Sequence, residues 1–522
     1  MSNLATSRPD DSGEIRWGRG MNTLEATTGQ TRPRVGVLLP DTDPAAWIVS
    51  AVEKLAECSD IVSLHHRRAR RAPWKGILDP LDRRMITGPN AEAKRPVDLP
   101  VQASQDPWPT PDAVDIVFCL GVDIDGSLNV QQDNLPVPPS PRWGIWDLQL
   151  PADLGRGATI DGLGTETVCL RQIGGDRILR PSRVRVHTLS PAITRQRLLW
   201  RASHLPVRGL RDLIADDLPA NEPDLPLLAV AQHRRPVRAL RTALRRTLRK
   251  NGWYLGVQFE PPASPELHAD DLHFVHPPGD RFWADPFPVV ISDDIAHIYL
   301  EEWKDPVGRG QIAVLEVNRD GGFKHLGTCL ETDGHLSHPH VFNWSGERFM
   351  IPETSSNRTV EVYRQQNGDP LQWELETVAM EQVHAVDVTV EQIGDRWWMW
   401  TNLGQPETSV HDELHIFYCD SPLGPWTPHP ANPVVSDPGR ARPAGGLFFW
   451  GQRLCRPAQD CSHRYGRALT IFEVTELTTS RFRERPLLRL EPGAFGANRL
   501  HTLNTDRWIR VIDLHRDRRR WP

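Results

Sequence analysis

The chain has 522 residues, more than one hydrophobic core usually serves, so we expect at least two domains. A formal net charge of -6 excludes a general attraction to nucleic acid or to an anionic membrane surface. The seven cysteines show no CxxC spacing, which argues against a disulfide framework and a structural zinc, and no apolar run is long enough to cross a membrane. Together these features predict a cytoplasmic globular protein.

Residues 33–215 alternate short apolar runs with a segment of helical spacing. The predicted elements are strands at residues 34–39, 61–64 and 114–120 and a helix at residues 45–55. Such alternation is typical of a parallel sheet, so an α/β Rossmann-like domain is predicted here. Residues 1–32 are expected to form a disordered tail, and the Arg- and Pro-rich residues 66–112 an insertion.

Residues 216–265 are predicted to be a linker that contains a basic amphipathic helix at residues 234–250. Its apolar side chains fall on one helical face and six arginines surround them. Such a helix can make peripheral contact with an anionic membrane, or it can dock its apolar stripe on a neighbouring domain. The prediction favours docking and keeps membrane contact as the alternative.

From about Asn251 the pattern changes to short strands of aromatic and β-branched residues. Five hairpin tips recur, each a small or acidic turn before an apolar strand: Asp293-Asp294, Gly346-Glu347, Gly394-Asp395, Gly451-Gln452 and Thr505-Asp506. Their spacings of 53, 48, 57 and 54 residues suit one four-stranded propeller blade each. Residues 266–522 are therefore predicted to form an all-β five-bladed β-propeller.

Polar residues recur at a fixed distance from these tips. Seven or eight residues before the tips stand Asp285, His338, Asp387 and, beside the fourth position, Arg442. Seven or eight residues after them stand Glu301, Glu353, Asn402, Gln459 and Asp513. Because the tip joins two antiparallel strands, both sets lie on one face of the propeller. We predict that they converge on the axis in a pocket suited to a polyhydroxylated ligand; the alternative is that they cap strand ends and face water.

Two short motifs resemble the aspartate motifs of the five-bladed-propeller glycoside hydrolases. They are Trp283-Ala-Asp-Pro-Phe287 and Val386-Asp-Val-Thr389. Roughly residues 270–515 are more similar to the propeller domain of plant glucosamine inositolphosphorylceramide transferase and its bacterial relatives. That likeness rests on His338-Pro-His340, Pro352-Glu353, Ala444-Gly-Gly446, Arg456-Pro-Ala-Gln-Asp-Cys461, Tyr465-Gly466 and His501-Thr-Leu-Asn504.

The resemblance to the hydrolases implies roles for three carboxylates. Asp285 would be the general base, and Asp387 would orient the general acid and raise its pKa. The acid should be a glutamate in blade four, where this chain has Arg442-Pro-Ala-Gly-Gly446 instead. Glu353 is therefore predicted as the acid, with Asp460 as the substitute candidate. The count and the resemblance together give the predicted substrate-binding residues, which are Trp283, Glu301, His338, His340, Asn402, Arg442, Gln459, Asp460 and His501.

The N-terminal half resembles formyltransferase-like domains around Arg142-Trp-Gly-Ile-Trp-Asp147. The segment continues Leu-Gln-Leu-Pro, without the histidine cluster that formyl transfer needs, so a degenerate domain is predicted. No glycine-rich dinucleotide loop leads from a strand into a helix, and no cofactor is predicted. His335, His338 and His340 could hold a metal with nearby carboxylates, but hydrogen bonding to sugar hydroxyls or support of the carboxylates is preferred, and no metal site is predicted.

Two functions follow from these patterns. The first is an enzyme that hydrolyses or transfers a glycosidic bond of a surface glycan or glycolipid. The second is a non-catalytic glycan-binding or scaffold protein that carries a degenerate formyltransferase-like domain. Paired carboxylates across one pocket favour the enzyme, and the missing blade-four glutamate favours binding.

Overall fold

The computed structural model describes most of the two predicted domains. The described residues are 32–39, 45–66, 114–120, 141–151, 164–174, 177–187, 190–215, 249–250, 252–262, 264–305, 307–405 and 408–519. The predicted tail, the Arg- and Pro-rich insertion and the basic amphipathic helix lie almost entirely outside them.

One mixed six-stranded sheet, in the order β2-β1-β3-β4-β5-β6, organises the N-terminal region. Its strands are β1 (Arg34–Leu39), β2 (Asp60–His66), β3 (Ile116–Cys119), β4 (Ile145–Gln149), β5 (Thr165–Gln172) and β6 (Ile178–Arg185). The pairs β1–β2, β1–β3 and β3–β4 are parallel, whereas β4–β5 and β5–β6 are antiparallel. The parallel strand–helix–strand unit is present, with α1 (Ala46–Cys58) between β1 and β2. Assignment of the domain as Rossmann-like or formyltransferase-like stays a prediction.

The second described helix, α2 (Pro191–Ile214), joins this sheet to the propeller. Ser190 caps its first turn by accepting a hydrogen bond from the Ile193 N–H at 3.1 Å, and Pro191 suits the first helical position. Leu198, Leu205 and Leu210 pack in the same core as α1, β5 and β6. Neither described helix combines the length and apolarity needed to cross a membrane.

In the described part of the propeller, five antiparallel sheets follow, four with four strands and one with five, so the predicted five-bladed β-propeller is confirmed. Blade one is β10 (Arg281–Val290), β11 (Ile295–Lys304), β12 (Gly310–Asn318) and β13 (Phe323–Leu330). Blade two is β14 (Ser337–Trp344), β15 (Glu347–Glu353), β16 (Thr359–Gln365) and β17 (Trp373–Glu381). Blade three is β18 (Ala385–Ile393), β19 (Arg396–Leu403), β20 (Glu413–Cys419) and β21 (Thr427–Pro428), with β22 (Val435–Ser436) also on β20. Blade four is β23 (Phe448–Trp450), β24 (Arg453–Asp460), β25 (Ala468–Leu477) and β26 (Phe482–Leu490).

Blade five is closed by strands that come before blade one in the chain. Its inner strands are β27 (Arg499–Asp506) and β28 (Ile509–His515), and its outer strands are β8 (Trp253–Phe259) and β9 (His273–Val275). The range predicted as a linker therefore contains a blade strand, and the propeller begins earlier than residue 266. A short pair, β7 (Arg249–Lys250) with β29 (Arg518–Arg519), also joins the two ends of the propeller. Pairing the first strand with the last removes a free sheet edge.

Three of the five predicted hairpin tips coincide with the turns, and Gly346-Glu347 lies one residue late, because Glu347 already pairs with Trp344. The fifth is displaced, because Thr505 and Asp506 still pair in β27 with Arg510 and Ile509. The turn falls on Arg507 and Trp508, and Arg507 takes a φ of 44°. A left-handed residue of this kind is what a tight hairpin requires.

Gly445 should be irreplaceable at the start of blade four. Its φ is +123°, and an added Cβ would collide with the carbonyl oxygen of Leu503 and stand 2.6 Å from Oδ1 of Asn504. Gly445→Ala is expected to lower the free energy of unfolding by roughly 1–3 kcal/mol, measured by denaturant titration. Gly446→Ala is the matched control, because its nearest new contact would be an ordinary 3.5 Å. Equal stabilities of the two variants would contradict this account.

Candidate functional site at the propeller axis

The inner strands of blades one, two and three carry the same irregularity. Their pairing registers shift at Ala284/Phe287, Ser337/His340 and Val386/Thr389. Within each shift one residue has a positive φ, at 49° for Asp285, 45° for His338 and 52° for Asp387. Such a conformation is costly for residues other than glycine and tends to occur where function requires it. The bulges bring three functional side chains to equivalent places around the axis.

Asp285 belongs to a buried chain of charges that ends in blade five. Its Oδ1 lies 3.1 Å from Nε2 of His501, and Nδ1 of His501 lies 2.6 Å from Oδ2 of Asp513. Asp513 also accepts hydrogen bonds from the backbone N–H groups of Asp285, His501 and Thr502 at 3.0, 3.1 and 2.9 Å. All three side chains of the chain are buried. Asp513 and His501 therefore hold the Asp285 carboxylate in a fixed position.

A second cluster surrounds Asp387. Arg442 donates to its two carboxylate oxygens at 2.5 and 2.9 Å, and Gln459 donates to Oδ2 at 2.8 Å. The Asp387 backbone N–H donates to Oε2 of Glu353 at 3.2 Å, and Nη2 of Arg442 lies 3.8 Å from the same oxygen. Glu353, Asp387 and Arg442 thus form one contact group.

His338 connects the two groups. Its backbone N–H donates to Oδ2 of Asp285 at 3.3 Å, while its ring Nδ1 lies 3.9 Å from Oδ1 of Asp387. Tyr465 makes a further link, with its ring 5.0 Å from the Arg442 guanidinium carbon and 5.0 Å from the His501 ring centroid. The structure therefore brings together Asp285, His338, Glu353 and Asp387, as the blade count anticipates.

The two predicted catalytic carboxylates have pKa values moved in opposite directions. Burial alone would raise the pKa of Asp285, but the charge and hydrogen bonding of His501 lower it below its usual range. Burial and the neighbouring Asp387 charge raise the pKa of Glu353 to about 7. Burial opposes protonation of His501, yet Asp513 and Asp285 raise its pKa to about 10. At neutral pH the site thus holds an ionised Asp285 next to a cationic His501 and a partly protonated Glu353.

Glu301 occupies the edge of the same site. It is buried, and burial followed by the charge of Asp285 raises its pKa well above the usual range. Its Oε1 lies 3.5 Å from Nε2 of His335. Glu301 therefore remains a candidate substrate contact that can donate a hydrogen bond in its protonated form.

Four predicted substrate-binding residues have partners within the protein, and their contact with a sugar stays a prediction. Trp283 is buried in the core between blades five and one and donates to Glu302 at 3.1 Å. His340 is held by the Val390 carbonyl at 2.7 Å, and burial lowers its pKa to about 3. Asn402 donates to the Val410 carbonyl at 3.1 Å. Asp460 pairs with Arg467 at 3.2 Å and Arg489 at 2.7 Å, so it is not a free substitute acid.

His501 contacts carboxylates with both ring nitrogens and is 1 % exposed, so it positions Asp285. Its predicted contact with a substrate stays a prediction. Sequence reasoning missed His411, which accepts a hydrogen bond from Arg442 at 3.0 Å and lies outside the repeat count in a loop after β19. Tyr465 was visible only as part of a motif, with no role attached to it.

Among the described residues, one group has the composition of a metal site. Asp285, His501 and Asp513 each offer a ligand atom, and these atoms lie within 4.8 Å of one another. Here the imidazole lies between the two carboxylates, so the charges of the group already compensate one another. The predicted alternative around His335 and His340 is not a group of this kind. The three residues therefore form a chain of ion pairs.

The state of Glu353 makes the stability of the fold depend on pH. Its folded pKa lies above the usual value of 4.5, so its stabilising contribution is present below pH 4.5 and is lost as pH rises through about 7. Glutamine cannot titrate. The free energy of unfolding of Glu353→Gln relative to the natural chain should therefore rise by roughly 2–3 kcal/mol from about pH 5 to about pH 8. Denaturant titrations at both pH values measure this, and an unchanged difference would contradict the raised pKa.

These features define a five-bladed β-propeller with a buried carboxylate and histidine site at its axis. Residues 260–513 match the family model described as glucosamine inositolphosphorylceramide transferase 1, N-terminal, so the family resemblance expected for the propeller is confirmed. The chain is 32 % identical over 248 residues to glucosamine inositolphosphorylceramide transferase 1 of Oryza sativa subsp. japonica, covering 45 % of this chain and 33 % of that protein. The protein of the same name from Arabidopsis thaliana is 31 % identical over 207 residues, covering 39 % and 27 %.

The chain thus spans about a third of the length of the curated relatives it matches. Among solved structures, it is similar to Zg3597, a family 117 glycoside hydrolase of Zobellia galactanivorans, with 13 % identity, a TM-score of 0.32 and coverage of 45 % of this chain and 76 % of that one. The RS223 β-xylosidase shows 11 % identity, a TM-score of 0.34 and coverage of 46 % and 93 %.

Proposed function

We propose that this protein is a carbohydrate-active enzyme that hydrolyses or transfers a glycosidic bond. The observation that carries the proposal is the pair of buried axis carboxylates, Asp285 and Glu353, with pKa values displaced in opposite directions. An ionised base and a protonated acid in one site are what acid–base cleavage of a glycoside requires. The names of the curated relatives support a glycan or glycolipid substrate.

Asp285 is the proposed base and Glu353 the proposed acid. The acceptor hydroxyl gives its proton to Asp285 while its oxygen bonds the anomeric carbon. The bond from that carbon to the leaving oxygen breaks, and the leaving oxygen takes the proton of Glu353. Burial and the charge of Asp387 keep Glu353 partly protonated near neutral pH, and Arg442 holds Asp387 in place.

A second candidate function is glycan binding without turnover. Arg442 favours it, because its guanidinium donates hydrogen bonds to Asp387 and His411 in the blade-four position from which the resembled hydrolases supply their acid. In that case the axis would recognise sugar hydroxyls, and the carboxylates would serve as hydrogen-bond acceptors.

A screen that scores both turnover and thermal stabilisation separates the two functions. The full chain is incubated with aryl glycosides and a glycan panel, and released aglycone and melting temperature are recorded. The enzyme proposal expects turnover of at least one glycoside that Asp285→Asn abolishes. Stabilisation by a sugar with no turnover of any glycoside would favour the binding function, and neither response would refute both.

A further inference from the structure

Three consecutive residues connect the N-terminal domain to the propeller axis. His411 and Asp412 lie between β19 and β20, and Glu413, the next residue, is the first residue of β20. Asp412 and Glu413 face arginines of α2, whereas His411 faces Arg442 of the axis site. The same short segment therefore contacts a helix of one domain and the candidate active site of the other.

The domain side of this connection is a buried ion cluster. Arg208 donates to both carboxylate oxygens of Glu413, at 2.6 and 3.1 Å, and Arg201 pairs with the same carboxylate. Arg201 also lies 3.6 Å from Asp412. The side chains of Arg201, Arg208, Asp412 and Glu413 are at most 6 % exposed. A bidentate pair in a dry interface fixes the position of Glu413 tightly.

The axis side of the connection is a hydrogen bond between side chains. Nη1 of Arg442 lies 3.0 Å from Nδ1 of His411, and burial, followed by the charge of Arg442, holds the pKa of His411 well below its usual range. A neutral imidazole can accept this bond. Nε and Nη2 of Arg442 donate to Asp387, and burial together with the charge of Asp387 raises the pKa of Glu353.

We propose that the N-terminal domain is a positioning device for the propeller site. Through Arg201 and Arg208 it fixes residues 411–413, and through His411 it fixes Arg442 against Asp387. His411, Glu413, Arg201 and Arg208 are positioning residues, since none of them lies against the two proposed catalytic carboxylates. This inference deepens the proposed function and rests on it only for the turnover readout.

The rival explanation is that the ion cluster merely holds two domains together. Both explanations expect a loss of stability when the cluster is broken, so stability alone does not distinguish them. The positioning explanation expects that a substitution in α2 also alters the surroundings of Arg442, whereas the rival explanation does not. Arg180 supplies a matched control, because it makes a bidentate pair with Asp212 at 2.5 Å and an interdomain contact to the Pro433 carbonyl at 3.3 Å without contacting residues 411–413.

The test compares Arg208→Met, His411→Ala, the double variant and Arg180→Met in the full chain. Amide hydrogen exchange is followed in peptides that cover residues 385–389 and 440–446, which surround Asp387 and Arg442. In parallel, kcat/KM is measured with the p-nitrophenyl glycoside that the natural chain cleaves. His411→Ala leaves the domain interface intact, so it tests the connection even if Arg208→Met folds poorly.

Arg208→Met and His411→Ala should each speed exchange in both peptides several-fold and lower kcat/KM at least tenfold. The double variant should be no worse than the more damaged single variant, because both changes interrupt one connection. Arg180→Met should leave the axis peptides and kcat/KM nearly unchanged. Unaltered exchange in Arg208→Met, or single effects that multiply in the double variant, would overturn the proposal. A natural chain without turnover would refute the enzyme function, while the exchange data would still decide this inference.

Discussion

Asp285→Asn should abolish turnover of every glycoside, whereas Glu353→Gln should spare substrates with good leaving groups. Asparagine cannot take a proton from the acceptor, so the base step fails for activated and natural substrates alike. A leaving group such as p-nitrophenolate needs little protonation, so loss of the acid matters mainly for natural substrates. General acid or base catalysis contributes about 10²–10⁴-fold, which sets the expected loss in kcat.

The control for Glu353→Gln is a carboxylic acid that lies outside the site and titrates in the same pH range as Glu353. Glu391 serves, because burial raises its pKa to about 7 and it lies towards the tip end of β18. Glu391→Gln should leave kcat unchanged for both kinds of substrate. If Glu353→Gln slows activated and natural substrates equally, Glu353 is not the acid. Asp460 is paired with two arginines, so Glu301, which is buried in the same site with its pKa raised well above the usual range, would then become the candidate.

Glu413→Gln should be among the most destabilising single changes in the chain. Its carboxylate is 2 % exposed and compensates two buried guanidiniums, whose charges hold its pKa low despite the opposing effect of burial. Removing one partner of a buried ion pair leaves uncompensated charge in a dry interface, which costs about 3–5 kcal/mol. The measurement is the free energy of unfolding by denaturant at neutral pH.

An exposed pair provides the control for this prediction. Glu347 lies 3.0 Å from Arg364, with side chains 53 % and 35 % exposed, so Glu347→Gln should leave stability nearly unchanged. A similar loss in the two variants would show that solvent compensates the charges at the domain interface, contrary to the buried geometry.

Because Glu413 also anchors the segment that carries His411, its loss should be accompanied by weaker function at the axis.

The repeat made the propeller predictable from sequence, but its closure was not. Tips and polar positions recur locally, so counting from Gly346 or Gly394 reaches His338, Glu353 and Asp387, which lie at the ends of the paired strands away from the tips. The pairing of β8 with β28 joins residues that are about half the chain apart, and no local sequence pattern predicts this pairing. The fifth tip was misplaced because Arg507 turns without a glycine.

The roles of individual side chains depended on contacts that a sequence does not display. Trp283 and Asp285 are two residues apart, yet one packs in the core and the other ends at the axis, because a bulge intervenes. The count reached Asp513 but gave it no role, since its importance comes from His501 in the neighbouring strand. His411 could not be found, because its position is set by the packing of α2 on the loop that carries it.

The central claim is tested most directly by the pH dependence of kcat/KM. It is measured for an aryl glycoside and for the corresponding glycoside with a natural leaving group. With the natural chain, kcat/KM for the poorer leaving group should fall as pH rises through about 7, because Glu353 loses its proton. At acidic pH, kcat/KM should not fall in the range where an ordinary aspartate gains its proton. The reason is that His501 keeps the pKa of Asp285 below that range. Glu353→Gln should remove the alkaline fall. An alkaline fall that persists in Glu353→Gln would contradict the assignment of the acid and, with it, the catalytic account of the propeller axis.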